Sequence, residues 1–238
     1  MPHTSKKVRK TTSTKNNRLT YIFAGVIIVI VAAAAGYFAI SSFHSTATLT
    51  TSSTTSTATQ YYAVINTTQG VMEAELFPSV APKTVANFVS LANSGFYNDL
   101  VWHRIVAGFA IQTGDPTSRN GGGTPSSWGQ TGSTTTVPLE ANSTTVAEGY
   151  VNDQGYLGLA RSQSLNSGSS QFYINLANNT SLNGQYTVFG KLISGMNVAL
   201  AIGNLPVYSQ CQSSGGTQCW PLNPSQAMVL SITIKSSP

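Results

Sequence analysis

The sequence predicts a mainly β domain, an antiparallel sheet closed on itself into a barrel with capped ends, preceded by one membrane-spanning helix. Three observations lead there. Residues 61–238 hold many short apolar bursts joined by Gly- and Ser-rich connections, only two stretches among them have helical periodicity, and a 23-residue run without charge, YIFAGVIIVIVAAAAGYFAISSF, occupies Tyr21–Phe43. Many short strands with few helices bury their apolar faces most simply by curling one sheet around a core.

Taken in order, residues 1–20 are a basic N-terminus carrying Lys6, Lys7, Arg9, Lys10, Lys15 and Arg18. As a helix rising 1.5 Å per residue, Tyr21–Phe43 spans about 34 Å, enough to cross a hydrocarbon core of about 30 Å. The basic cluster lies wholly on its N-terminal side, which places that end in the cytoplasm and the rest of the chain outside a cell membrane crossed once. A cleaved signal peptide is the alternative, with small-residue cleavage sites at Ala32–Gly36; the domain is then secreted. Residues 44–60, in which 12 of 17 positions are Ser or Thr, read as a flexible linker, because such a tract cannot bury enough apolar surface to offset its chain entropy.

The domain begins with a hairpin, Tyr61–Thr67 and Val71–Leu76, where Met72, Ala74 and Leu76 alternate with Glu73 and Glu75 and so give one wet face. Pro82 stands at a first helical position, Val85, Phe88, Val89 and Ala92 recur at helical spacing, and Gly95 follows the last turn, predicting a helix over the core. Strands are then expected at Val101–Val106, Phe109–Thr113, Tyr156–Leu159, Phe172–Leu176 and Thr187–Lys191, a second helix at Met196–Ile202, and a closing strand at Val229–Lys235.

Charge excludes one class of function. The net charge of +5 belongs to the N-terminus: residues 61–238 hold six Lys/Arg against seven Asp/Glu. A domain that is nearly neutral lacks the basic stripe that neutralises nucleic-acid phosphates. His103 is the domain's only histidine, so no metal and no other cofactor is expected. Cys211 and Cys219 lie in a Gly/Ser/Gln-rich loop, and an even count outside the cell suggests a local disulfide. Sequons occur at Asn66, Asn142, Asn178 and Asn179.

Chemistry concentrates in five ordered blocks: Trp102–Asp115 (WHRIVAGFAIQTGD), Asn120–Gly123, Gly155–Arg161 (GYLGLAR), Ser169–Ile174 (SSQFYI) and Leu182–Gly190 (LNGQYTVFG). In these the domain resembles the cyclophilin family of peptidyl-prolyl isomerases, and with the apolar run before it, a membrane-anchored or secreted, prokaryotic-like member. The resemblance implies an eight-stranded antiparallel barrel with helices over its ends, a groove for proline-containing polypeptides, and a monomer that assists folding outside the membrane. Residue by residue, it makes Arg104 the catalytic arginine. Gln112 is implied to hold the substrate backbone, Phe109, Tyr173 and Leu182 to wall the proline pocket, and Ala110, Ala160, Arg161, Gln171 and Tyr186 to complete the substrate surface. The domain departs from the family pattern at Ala107 for Pro, Ala110 for Met, Ser181 for Trp and Tyr186 for His. A proline-binding module without turnover, displayed at the cell surface, is the alternative reading.

Those residue types suit the reaction. The amide's partial double bond imposes a barrier of ~18–20 kcal/mol, and crossing it breaks no covalent bond, so neither nucleophile, general base nor metal is required. In the twisted amide the prolyl nitrogen recovers its lone pair. An arginine that donates to that lone pair binds the twisted state selectively, as acceleration requires.

Overall fold

The computed structural model describes residues 59–208 and 219–237. The basic N-terminus, the Tyr21–Phe43 run, all but the last two residues of the Ser/Thr-rich tract, and Cys211 lie outside the described residues. Among the described residues no helix is long and apolar enough to cross a membrane.

The hairpin forms as expected from β1 (Tyr62–Thr67) and β2 (Gly70–Leu76), paired antiparallel from Tyr62↔Glu75 to Thr67↔Gly70. Met72, Ala74 and Leu76 are fully buried, so the alternation assigns the core face correctly. Helix α1 (Pro82–Asn93) turns Val85, Phe88 and Ala92 inward. Its N-terminus lacks a side-chain cap of its own. Instead the Glu140 carboxylate accepts the Lys83 and Thr84 amides at 3.0 and 2.8 Å and the Thr84 hydroxyl at 2.8 Å, a distant anion satisfying the orphan donors and the helix dipole together.

The stretch expected as one strand over Val101–Val106 is two, β3 (Leu100–Val101) and β4 (Arg104–Val106). There follow β5 (Ala110–Thr113), the one-turn α2 (Ser143–Ala147), β6 (Tyr156–Leu159), β7 (Phe172–Asn175), β8 (Val188–Ser194), α3 (Met196–Gly203) and β9 (Met228–Lys235). They make one sheet of nine strands, ordered β3-β9-β1-β2-β8-β6-β7-β5-β4, with every pairing antiparallel. This corrects the expected closed eight-stranded barrel: the ladder has two ends, and no pairing joins β3 to β4. Those ends are halves of one stretch, Leu100–Val106. Its first half pairs with β9 and its second with β5, and Trp102 and His103 between them leave the ladder. Fully buried Trp102 uses its amide elsewhere, donating to the Ala227 carbonyl at 2.7 Å.

Inside the curl Phe172 makes edge contacts with Phe88, Tyr97, Trp102 and Phe189 at 5.3, 5.5, 5.8 and 6.3 Å between centroids, the tilted geometry aromatic quadrupoles favour. Helix α3 runs one residue beyond the expected Met196–Ile202 and is entered through Gly195 at φ +80°, where a Cβ would lie 2.5 Å from the Val71 carbonyl oxygen. The short α2 escapes sequence periodicity because it buries nothing; Asn142 caps it reciprocally with Thr145, both bonds at 3.0 Å. Of the four sequons, Asn66, Asn142 and Asn178 are exposed. Asn179 is buried with its amide nitrogen donating to the Phe109 carbonyl and to Asn175, which leaves it no accessible nitrogen for a glycan.

Candidate active site

A tight turn builds the first wall of the site. Val106–Phe109 is closed by the Phe109 amide on the Val106 carbonyl at 3.0 Å, with Gly108 at φ +67°, a conformation glycine adopts without strain. The turn folds β4 back on β5 so that Arg104 stands opposite Gln112, and Gln112 in turn opposite Tyr173 on β7. Three site residues thus sit in one row across three adjacent strands.

Around that row, nine of the expected residues line a single cavity of about 230 Å³: Arg104, Phe109, Ala110, Gln112, Ala160, Arg161, Tyr173, Leu182 and Tyr186. Gln171 stands outside it. It lines an adjoining cavity of about 320 Å³ and acts on Gln112, accepting from Gln112 Nε2 at 2.8 Å while its own Nε2 donates to the Thr131 carbonyl. Gln112 is thereby held by one side-chain bond, with its carbonyl oxygen turned to neither partner.

Arg104 is half-buried, its guanidinium carbon 5.6 Å from the centroid of the Phe109 ring. Burial lowers its pKa from the ordinary arginine value, yet a guanidinium stays charged at any physiological pH. Among the described residues the only ion pair joins Lys235 to Glu73, so no carboxylate occupies Arg104. Arg161 is engaged differently: it stacks on Tyr186 at 4.8 Å and donates to the Gln185 and Ser162 carbonyls. Tyr186 meets Tyr173 edge-on at 6.0 Å. Burial drives the His103 imidazole down to about 4, so it is neutral near pH 7.

Behind the pocket runs a buried amide network that the sequence reading missed. Tyr173 donates its hydroxyl to Asn152 Oδ1 at 2.6 Å, and Asn175 reaches the same oxygen at 3.4 Å. Asn179 Nδ2 bonds Asn175 Oδ1 at 2.7 Å and the Phe109 carbonyl at 2.9 Å, while the Leu182 amide donates to the Asn179 carbonyl at 2.9 Å. All three expected walls, Phe109, Tyr173 and Leu182, therefore lean on one set of asparagines. The signal available in the sequence was Asn175 closing the apolar FYIN strand, since a polar residue at a core position needs partners. Cys219 is buried and disulfide-bonded; Cys211, the chain's other cysteine, lies outside the described residues. Among the described residues no three His, Cys, Asp or Glu side chains gather in a way that would hold a metal ion.

The family described as "Cyclophilin type peptidyl-prolyl cis-trans isomerase/CLD" matches residues 62–221. The peptidyl-prolyl cis-trans isomerase-like 1 of Aspergillus niger is 37% identical over 153 residues, covering 64% of this chain and 88% of that protein. The peptidyl-prolyl isomerase CWC27 of Cryptococcus neoformans is 40% identical over 146 residues, covering 60% of this chain. This chain spans about a quarter of that relative's length (27%). A crystal structure of a Cryptosporidium parvum cyclophilin type peptidyl-prolyl cis-trans isomerase, in the presence of the dipeptide Ala-Pro, superposes with a TM-score of 0.58 at 30% identity, covering 73% of this chain and 98% of that one. These relatives do not support the prokaryotic-like affiliation expected from the sequence.

Proposed function

Because the chain belongs to the cyclophilin-type peptidyl-prolyl cis-trans isomerase family, we propose that the cavity beside Arg104 isomerises X-Pro bonds in polypeptides. One observation carries the reading. Among the described residues, a half-buried guanidinium with no carboxylate partner lines one pocket with Phe109, Ala110, Tyr173 and Leu182, one ladder pair from a tethered glutamine. The Ala-Pro dipeptide named with the C. parvum relative supports an X-Pro unit as the ligand.

In this reading the proline ring enters between Phe109, Tyr173 and Leu182, where desolvation disfavours the polarised planar amide more than the twisted one. Gln112 Oε1 or its remaining N–H engages the substrate backbone. As the C–N bond rotates, Arg104 donates to the prolyl nitrogen, whose lone pair is available only in the twisted state, so the bond contributes to turnover rather than to ground-state affinity. Gln171 and the asparagines behind the pocket are positioning residues. An isomerisation assay on an X-Pro peptide tests the proposal: Arg104→Ala should lose most of the turnover while keeping peptide affinity. Binding without turnover in the unaltered protein would instead favour the non-catalytic, proline-binding reading.

We also propose that the domain works outside a membrane on proteins completing their folding, tethered through Tyr21–Phe43, or secreted if that run is cleaved. The uncharged run, its basic N-terminal flank and the Ser/Thr-rich tract support this placement.

A further inference from the structure

A second cavity, of about 200 Å³, adjoins the proline pocket and shares Arg104 and Gln112 with it; its remaining lining comes from His103, Trp128, Trp220 and the loop at Gly129 and Gln130. Its walls are held from two directions. Strand β4 is the last of the sheet, and its outer edge is taken by the chain returning from α3, where Ile105 donates its amide to the Cys219 carbonyl at 2.9 Å. The next residue is Trp220, whose carbonyl accepts the Tyr208 amide at 3.1 Å and whose ring meets that of Tyr208 edge-on at 5.9 Å. In the same cavity wall, buried Trp128 is anchored through its indole N–H to the Gly122 carbonyl at 2.8 Å.

His103 lies in the cavity wall with its ring nitrogens covered. It is 2% exposed, and neither ring nitrogen makes a hydrogen bond. Gln171 and the Val101 carbonyl lie near enough to favour its protonated form, yet neither completes a bond of ordinary length and angle. Gly129, at φ +81°, packs close against the imidazole: a Cβ there would lie 3.4 Å from His103 Cδ2 and Nε2.

Two indoles and one guanidinium, with Gln112 and Gln130 as neutral polar neighbours, favour a π system over an aliphatic chain, through ring stacking and cation–π attraction. Size agrees, since a cavity of about 150 Å³ holds a benzene ring. A carboxylate is a poor occupant, because pairing with Arg104 would take the donors that turnover needs. We propose that this cavity is a subsite for an aromatic side chain on a substrate residue next to the X-Pro pair, so that the protein prefers prolines with an aromatic neighbour. The proposal rests on the isomerase reading and adds a sequence preference to it.

The test compares kcat/KM on two series of tetrapeptides built around Ala-Pro, with Phe, cyclohexylalanine or Ala placed before Ala in one series and after Pro in the other. In one of the series Phe should exceed Ala by about 3- to 10-fold, with cyclohexylalanine between them. Trp220→Ala, checked for folding by circular dichroism, should bring the Phe/Ala ratio close to 1, and Trp220→Phe should retain most of it. A ratio near 1 in both series for the unaltered protein, or one untouched by Trp220→Ala, would overturn the subsite. Should Trp220→Ala not fold, the Phe-to-cyclohexylalanine comparison decides alone, equal rates counting against it. If no peptide is turned over, the isomerase reading fails by itself. Calorimetric affinities of the same peptides then judge the subsite, and equal binding of Phe and Ala peptides rejects it.

Discussion

In the proposed reaction Arg104 brings a permanent charge to the prolyl nitrogen of the twisted amide, so its effect should be confined to turnover. A charge-assisted bond worth ~1.5–3 kcal/mol corresponds to about 10- to 150-fold in kcat. Arg104→Ala is expected to lose that much in a spectrophotometric isomerisation assay, with peptide affinity by calorimetry nearly unchanged. The neighbouring His103 makes a different statement about pH. Burial lowers its folded-state pKa to about 4 from 6.5, so well above pH 6.5 the imidazole is neutral whether the chain is folded or not, and stability is independent of this group. As pH falls through 6.5 toward 4 the unfolded chain takes up a proton that the folded one refuses, and stability drops by about 3 kcal/mol at most. Urea midpoints between pH 7 and 4 should show that decline, and His103→Gln should flatten it. Turnover should stay level between pH 6 and 8, since neither Arg104 nor His103 changes charge there; a bell-shaped profile would show that a titrating group had been overlooked.

At the scale of elements, the turn joining β4 to β5 sets the distance between Arg104 and the pocket wall. Ala107 occupies its second position, before Gly108 at φ +67°, and a proline fits that position of such turns. Ala107→Pro should raise stability by about 0.4–1 kcal/mol through the unfolded chain, read as a shift in thermal midpoint with kcat unaffected. The opposite edge of β4 is covered by Cys219, buried against Val106 and accepting the Ile105 amide. Reducing its disulfide should cost about 2–3 kcal/mol, measured by denaturation with and without reductant. The elements legible in the sequence are those whose apolar period is carried by one face, such as β2 with Met72, Ala74 and Leu76, and α1 with Val85, Phe88 and Ala92. Less legible is the break at Trp102–His103, because both residues are as buried as the strand positions beside them and the pattern gives no sign that the ladder stops. The pocket row of Arg104, Gln112 and Tyr173 could be anticipated only from the resemblance of the flanking blocks. Its support by Asn152, Asn175 and Asn179 depends on contacts across as many as 70 residues of sequence, which no local period encodes.

For the whole molecule, the first sixty residues are expected to serve placement rather than chemistry. Among the described residues, those lining the pocket beside Arg104 all fall between Arg104 and Tyr186, so the proposed chemistry is expected to run without the residues N-terminal to the sheet. The domain's own charge is close to neutral while six cations precede Tyr21, so any attraction of the chain to an anionic membrane face resides in those cations and not in the domain. In the proposed placement such a basic flank keeps its side of the apolar run in the cytoplasm. Anchorage and catalysis should therefore separate cleanly. The full chain is expected in the membrane pellet after carbonate and high-salt washing, with its domain cut by protease added outside spheroplasts or intact cells. A chain lacking residues 1–43 should be fully soluble and equal in kcat/KM on short peptides. Recovery from cells of a soluble protein beginning near Ala35 would replace the anchor by a cleaved signal, and protection of the full chain from external protease would reject export altogether.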